Sequence, residues 1–163
     1  MVGDSTVRGI RKQEINRTVH KYNSFVKTFP GATTEDMESY IIPTLKRNPD
    51  VLIIHCGTND LRKEDPDKIA TKITRVAIQA KKKVHRVAVS SILARGDSDL
   101  LERKIVQVNM MLQKSLEDNE IDLIEHEVFD TDWRYLLYDD GIHLNDDGTN
   151  VLGNDFVNYI NSI

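Results

Sequence analysis

The chain has 163 residues and a formal net charge of −4 at pH 7, with 39% hydrophobic and 29% charged residues. This length suits one domain with a substantial core, so we expect residues 1–163 to form a single domain. The composition excludes a disordered tail, a fibrous repeat and a disulfide scaffold, and the negative charge disfavours nucleic acid as a partner.

Short apolar runs along the chain predict the strands. Four are expected, at residues 22–29, 51–54, 87–89 and 121–124, and the apolar character of the 51–54 run is typical of a strand covered on both faces. A first strand would have only Met1 and Val2 ahead of the Gly3-Asp4-Ser5 triplet. We therefore expect either a very short first strand or, preferably, a domain cut from a longer protein.

Longer amphipathic segments separate these runs and predict helices. One carries Met37, Ile41 and Leu45, and Pro43 should kink or end it early. The next opens at Pro66, and two more have apolar stripes over residues 101–116 and 152–163. Strands that alternate with helices predict an α/β fold, a flavodoxin-like three-layer α/β/α sandwich around a parallel sheet of about five strands.

Polar segments follow the predicted strands, at the edge where an open parallel sheet binds its ligands. They are the triplet that ends at Ser5, the turn around Gly31, the segment Gly57-Thr58-Asn59-Asp60 and the loop Asp140-Gly141-Ile142-His143. Together they supply a hydroxyl, an imidazole, a carboxylate and amide donors. These are the groups that acyl transfer through a covalent intermediate requires.

In their order and spacing, the four segments resemble the sequence blocks of the SGNH, or GDSL-type, hydrolases. Residues 2–10 and 53–61 further resemble the esterase domain in the first open reading frame of animal LINE-type retrotransposons. Thr6 departs from the family, which often has leucine there, and the longer first strand of the family is missing. The resemblance implies the SGNH hydrolase fold and a serine ester hydrolase that needs no cofactor and no metal.

The resemblance also implies a role for each site residue. Ser5 would be the catalytic nucleophile, and His143 would act first as general base and then as general acid. Asp140 would orient His143. Ser5, Gly31 and Asn59 would together form the oxyanion hole.

Each of these residues has a structural alternative. Ser5 would stand at the start of a helix expected from about Thr6 to Ile15, where serine commonly serves as the N-cap. Asp139 is a rival to Asp140, and glycine and asparagine are common turn residues. We expect two other carboxylates, Asp4 and Asp60, to bond neighbouring loop amides rather than to take part in catalysis.

The remaining residues give weaker indications of function. Cys56 is expected in the core, with His55 on the opposite face of its strand. A basic cluster at residues 81–86 either caps a helix end or binds a phosphate or lipid headgroup. The aromatic loop 133–138 either lines an acyl pocket or packs the loop, and residues 93–97 border the site without an assigned role.

The expected substrate is a small ester with a short acyl, acetyl or lipid-like group. Two alternatives remain: an acyltransferase on the same scaffold, and a catalytically silent module that binds RNA or protein. No dinucleotide or phosphate-binding loop is present, the G-x-S-x-G motif is missing, and the histidines lack ligand spacing. A single cysteine and the lack of a signal or membrane segment favour an intracellular, cytoplasmic protein, and the oligomeric state is undetermined.

Overall fold

The computed structural model describes residues 1–131 and 133–163. A five-stranded sheet in the order β2-β1-β3-β4-β5 forms its centre, and every strand pairing is parallel. The strands are β1 (Val2–Gly3), β2 (Lys27–Thr28), β3 (Val51–His55), β4 (Arg86–Ser90) and β5 (Asp122–Ile124). The predicted α/β class and the parallel sheet are confirmed.

Helices cover both faces of the sheet. The α-helices are α1 (Lys12–Thr18), α2 (Thr34–Tyr40), α3 (Ile42–Leu45), α4 (Pro66–Lys81), α5 (Asp99–Glu117), α6 (Glu127–Thr131) and α7 (Asp146–Ser162), and 3₁₀ helices span Ser5–Gly9 and Arg134–Leu136. Apolar side chains of α2, α4 and α5 form one core cluster with the sheet. Those of the first 3₁₀ helix, α1, α6 and α7 form the second cluster, on the other face. None of the helices in the described ranges is both long and apolar enough to cross a bilayer.

Local sequence explains where several helices begin and end. Thr33 and Asp36 form a capping box at the start of α2, in which each side chain accepts a hydrogen bond from the other residue's backbone N–H. The helix predicted around Met37, Ile41 and Leu45 is interrupted between α2 and α3, just before Pro43, as the sequence predicts. Pro66 occupies the first position of α4, where its missing N–H costs nothing.

Two predicted elements are wrong in extent. The strand expected over residues 22–29 is reduced to Lys27–Thr28, because its only neighbour, β1, offers just two residues for pairing. The helix expected from Thr6 to Ile15 is broken in two, since Ile10 is buried with an extended backbone at ψ 121°. A Cβ on Gly9 would lie 2.8 Å from the Thr149 side chain of α7. The backbone at Gly9 therefore passes directly against α7 at this break.

The strand order brings the polar segments to one edge of the sheet. The strand order reverses at β1, so the crevice at the carboxyl ends of β1 and β3 is the topological switch point of the fold. The N–H of Asp4 donates to the His55 carbonyl at 3.1 Å, and the N–H of Phe29 donates to the Gly3 carbonyl at 2.8 Å. The segments that follow β1, β2 and β3 are therefore bonded side by side.

Candidate active site

Ser5 is the first residue after the end of β1 to enter a helix, and it is half-buried at the edge of the sheet. The helix is a five-residue 3₁₀ turn rather than the longer α-helix expected. Its N-cap is Asp4, whose Oδ1 accepts the Thr6 N–H at 2.9 Å. The alternative that Ser5 serves as N-cap is therefore wrong, and its hydroxyl is not engaged in capping.

Asp4 is completely buried beside Ser5 and has one satisfied oxygen. Its Oδ2 accepts no hydrogen bond from any described residue. Burial raises the pKa of Asp4 to about 6, while the Thr6 hydrogen bonds and the charge of His143 oppose the increase.

The loop before α7 joins Asp140 to His143 in one compact turn. Oδ1 of Asp140 accepts the backbone N–H groups of Ile142 and His143 at 2.8 and 2.9 Å, and its Oδ2 is 2.7 Å from Nδ1 of His143. These bonds from His143 and Ile142 lower the pKa of Asp140 to about 2. Asp140 stays ionised at neutral pH and accepts the Nδ1–H, so a neutral His143 presents Nε2 as a proton acceptor.

His143 is open to substrate and to water. Its side chain is 53% exposed, and among the described residues it forms no hydrogen bond with the Ser5 hydroxyl. Hydrogen bonds between a nucleophile and its base are often long or poorly aligned before substrate binds and shorten in the complex. The carboxylate bonded to His143 is Asp140, as the family resemblance implies, and not its rival Asp139.

Gly31 and Asn59 meet at the same edge. Nδ2 of Asn59 donates one hydrogen to the Ala32 carbonyl at 2.9 Å, which leaves its second hydrogen for another acceptor. Gly31 has a positive φ of 78°, and a Cβ there would meet nothing within 4 Å. The space before it is open, and neither Gly31 nor Ser5 donates its backbone N–H to another described residue. The Ser5 and Gly31 N–H groups and the second Asn59 amide hydrogen thus have no acceptor among the described residues.

Asp60 has the structural position that the sequence predicts. Its two oxygens accept the N–H and the hydroxyl of Thr34, both at 3.0 Å. Burial raises the pKa of Asp60, and the Thr34 hydrogen bonds partly counteract this increase. The carboxylate thereby fastens the start of α2 to the loop after β3.

Sequence reasoning missed a second Ser–His–Asp arrangement. Oγ of Ser90 lies 2.7 Å from Nε2 of His126, and Nδ1 of His126 lies 2.6 Å from Oδ2 of Asp155. A further hydrogen bond extends this arrangement to His55, whose Nδ1 is also 2.7 Å from the Ser90 hydroxyl. We call these four residues the buried relay. Its members come from β3, β4, the segment after β5 and α7, so only the alternation of His55 and Ser90 toward one face of the sheet could have suggested the contact.

Burial excludes the relay from attack on a substrate. Ser90, His126 and His55 are at most 2% exposed, and the edges of Phe129 and Phe156 pack around the His126 ring. Burial, followed by the charge of His126, lowers the pKa of His55 to about 3, which keeps that ring neutral. Ser5 and His143, by contrast, reach the surface. The relay's hydrogen bonds link β3, β4, the segment after β5 and α7 on one face of the sheet.

The remaining groups have structural contacts. Cys56 is buried in the core, where burial raises the pKa of its thiol, and His55 points to the other face as expected. Lys81 donates to the carbonyls of Asn119 and Glu120, so it links the end of α4 to the turn after α5. Trp133 of the aromatic loop is buried and packs in the core, whereas Tyr135 and Tyr138 of the same loop are exposed, so only the tryptophan is resolved in favour of packing. The described residues contain no group of three or more potential metal ligands.

A family model described as the GDSL-like Lipase/Acylhydrolase family matches residues 1–151. No curated protein matches the chain in sequence.

Several solved structures share the fold. A member of the lipolytic protein G-D-S-L family from Veillonella parvula superposes with a TM-score of 0.80 at 17% identity, covering 99% of this chain and 97% of that one. The acetyl xylan esterase AlAXEase gives a TM-score of 0.81 at 21% identity over 97% of this chain and 98% of its own. The acetylxylan esterase Axe2 from Geobacillus stearothermophilus gives 0.78 at 18% identity over 98% and 91%. At these identities the likeness establishes the fold.

Proposed function

This chain belongs to the GDSL-like lipase/acylhydrolase family, and we propose that it is a serine hydrolase that cleaves carboxylic esters through an acyl-enzyme. The observation that carries the proposal is the Asp140–His143 pair at 2.7 Å, which leaves Nε2 of the ring as a base at the edge that also carries Ser5. Variants of the Geobacillus acetylxylan esterase with a serine or a histidine replaced by alanine are described as catalytic mutants, which supports the same pair of residue types here.

In the first half of the reaction, Ser5 is acylated by the ester. Its Oγ attacks the ester carbonyl carbon while Nε2 of His143 takes the hydroxyl proton, and Asp140 stabilises the resulting imidazolium. The negative oxygen of the tetrahedral intermediate accepts hydrogen bonds from the Ser5 and Gly31 N–H groups and the free Asn59 amide hydrogen. The intermediate collapses, the C–O bond to the alcohol breaks, and His143 returns its proton to the departing alkoxide.

In the second half, water completes the turnover. His143 takes a proton from water, the hydroxide attacks the acyl carbon, and collapse releases the acid while Ser5 regains its proton from His143. The 53% exposure of the His143 side chain gives water a direct route to this base. That exposure favours hydrolysis over transfer to an alcohol acceptor.

We propose short acyl esters, acetyl esters above all, as substrates. Gly31, Asp140 and His143 are all exposed, so the reacting carbonyl is met at an open edge rather than in a deep acyl tunnel. Two of the compared structures are described as acetylxylan esterases, which supports an acetyl group. The narrower resemblance to the LINE esterase domain stays a prediction from residues 2–10 and 53–61.

The proposal is tested by finding which serine reacts. We expect a fluorophosphonate probe to label Ser5, as read by mass spectrometry of peptides, and Ser5→Ala to abolish both labelling and turnover of p-nitrophenyl acetate. Ser39→Ala, a change at an exposed serine of α2, is the matched control and should behave as wild type. Labelling of Ser90 instead, or turnover that survives Ser5→Ala, would contradict the assignment. A protein that folds but reacts with neither probe nor ester would favour the silent binding module.

A further inference from the structure

The loop between β4 and α5 contains a charged side chain that is almost fully buried. Arg95 is 7% exposed, and its Nε and Nη2 donate to the two carboxylate oxygens of Asp97 at 2.6 and 2.7 Å. Its Nη1 turns the other way and donates to the carbonyl and the hydroxyl of Thr58, both at 3.3 Å. Thr58 directly precedes Asn59, so Arg95 holds the backbone next to the proposed oxyanion donor.

The same loop also holds the turn that carries the proposed base. The N–H of Gly96 donates to the Gly141 carbonyl at 2.7 Å. Gly141 adopts a positive φ of 67°, and a Cβ there would lie 3.0 Å from backbone atoms of Gly96 and Asp97. Trp133 packs on the Gly96 backbone, where a Cβ would lie 3.2 Å from its ring. Residues 95–97 therefore join the Asn59 loop to the Asp140–His143 turn.

We propose that Arg95 is a positioning residue for ester hydrolysis, an inference that rests on the proposed function. It fixes Thr58 and thereby directs the Asn59 side-chain amide toward the oxygen that becomes negative in the transition state. Its neighbour Gly96 holds the His143 turn at the same point, so the donor and the base keep one relative position.

The chemistry of arginine explains why this residue type suits the task. A buried ion pair is often no better for stability than apolar side chains of similar volume, so fold stability alone does not call for one here. The planar guanidinium can bind Asp97 with one edge and Thr58 with another at the same time, whereas a lysine ammonium is a single point. A displacement of a catalytic group by about 1 Å can cost about 10²-fold in rate.

The chain supplies a matched control at the same carboxylate. Nη2 of Arg62 binds Oδ2 of Asp97 at 2.6 Å from the solvent side, and its side chain is 63% exposed. It forms no hydrogen bond with Thr58 among the described residues. Arg62→Lys and Arg95→Lys thus make the same chemical change on the two partners of Asp97, and only the second releases Thr58.

A double-mutant cycle tests whether Arg95 acts through Asn59. We expect Arg95→Lys to lower kcat for p-nitrophenyl acetate by about 10- to 100-fold with KM within about threefold of wild type, and Arg62→Lys to leave both unchanged. In an Asn59→Ala background, Arg95→Lys should cost less than about twofold more, because the group it positions is gone. Equal costs in both backgrounds, or full activity in Arg95→Lys, would overturn the proposal.

A readout without turnover separates this inference from the proposed function. The side-chain NH₂ signal of Asn59 in a ¹H–¹⁵N NMR spectrum should shift or broaden in Arg95→Lys and not in Arg62→Lys, in proteins with equal thermal midpoints. If the wild type is not labelled at Ser5, the proposed function fails while this spectrum still reports on Asn59. An unchanged Asn59 signal overturns the positioning role even when Ser5 is labelled. If Arg95→Lys lowers the thermal midpoint, the comparison is made on the conservative Thr58→Ser and Thr58→Val pair, of which only the second removes the hydroxyl contact and should move the signal.

Discussion

The buried carboxyl of Asp4 should make the unfolding free energy of this protein depend on pH in a specific direction. Its pKa is about 6 in the folded protein against 3.8 for the ordinary side chain, because burial disfavours the charged form. The folded state therefore binds this proton more tightly than the unfolded state. The tighter proton binding by Asp4 stabilises the folded protein fully below pH 3.8, and this stabilisation is lost as the pH rises through 6.

The magnitude follows from the difference between the two pKa values. About two pKa units at about 1.4 kcal/mol each give a loss of about 3 kcal/mol between pH 3.8 and pH 7. Asp4→Asn keeps an oxygen for the Thr6 N–H and cannot ionise, so it should remove this loss. The amide brings its own cost, an unpaired buried NH₂, which is the same at every pH.

Urea unfolding of both proteins from pH 4 to pH 7.5 provides the assay. We expect the free energy of unfolding of Asp4→Asn, relative to wild type, to increase by about 2–3 kcal/mol across this range. Asp118→Asn, the same isosteric change at an exposed carboxyl, controls for the change in net charge. A constant difference between Asp4→Asn and wild type, or one that decreases with pH, would refute the reasoning from burial.

Two further predictions concern the two Ser–His–Asp arrangements. Ser90→Ala leaves ring nitrogens of His55 and His126 buried without their partner, so it should lower the unfolding free energy by about 2–4 kcal/mol in urea titrations. Its kcat per folded molecule should stay within about twofold of wild type, and a large loss would give the relay a part in the chemistry. Asp140→Asn should lower kcat by about 10³- to 10⁴-fold with little change in KM, because the amide no longer fixes the His143 tautomer. Steady-state kinetics on p-nitrophenyl acetate measure this effect, and a loss below tenfold would remove Asp140 from the mechanism.

Hydrophobic pattern predicted the layers well because it records burial directly. The wholly apolar run that became β3 and the stripes that became α4, α5 and α7 are set by which side chains face the sheet. The hydrophobic pattern failed where contact with another segment sets the length or the end of an element. β2 is short because β1 is short, and the break at Ile10 depends on how closely α7 approaches Gly9.

The candidate site likewise has features that the sequence predicted and contacts that it did not. Motifs predicted the positions of Ser5, Gly31, Asn59 and the Asp140–His143 turn, since each follows or borders a strand end on one edge. They also predicted that Asp4 and Asp60 bond neighbouring amides, although not that burial would raise the pKa of Asp4 so far. The buried relay and the contact of Arg95 with Thr58 could not be predicted, because they join residues 29 to 37 positions apart that no local spacing relates.

The position of the His143 turn after the last strand has a consequence for biosynthesis. All five strands lie within residues 2–124, whereas the proposed base arrives about twenty residues after Ile124 has left the ribosome. A nascent chain can thus assemble its sheet, with the serine already at its edge, while it still lacks the imidazole. On this order of events, the proposed ester cleavage becomes possible only after the His143 turn and α7, which follows it, have packed onto the sheet.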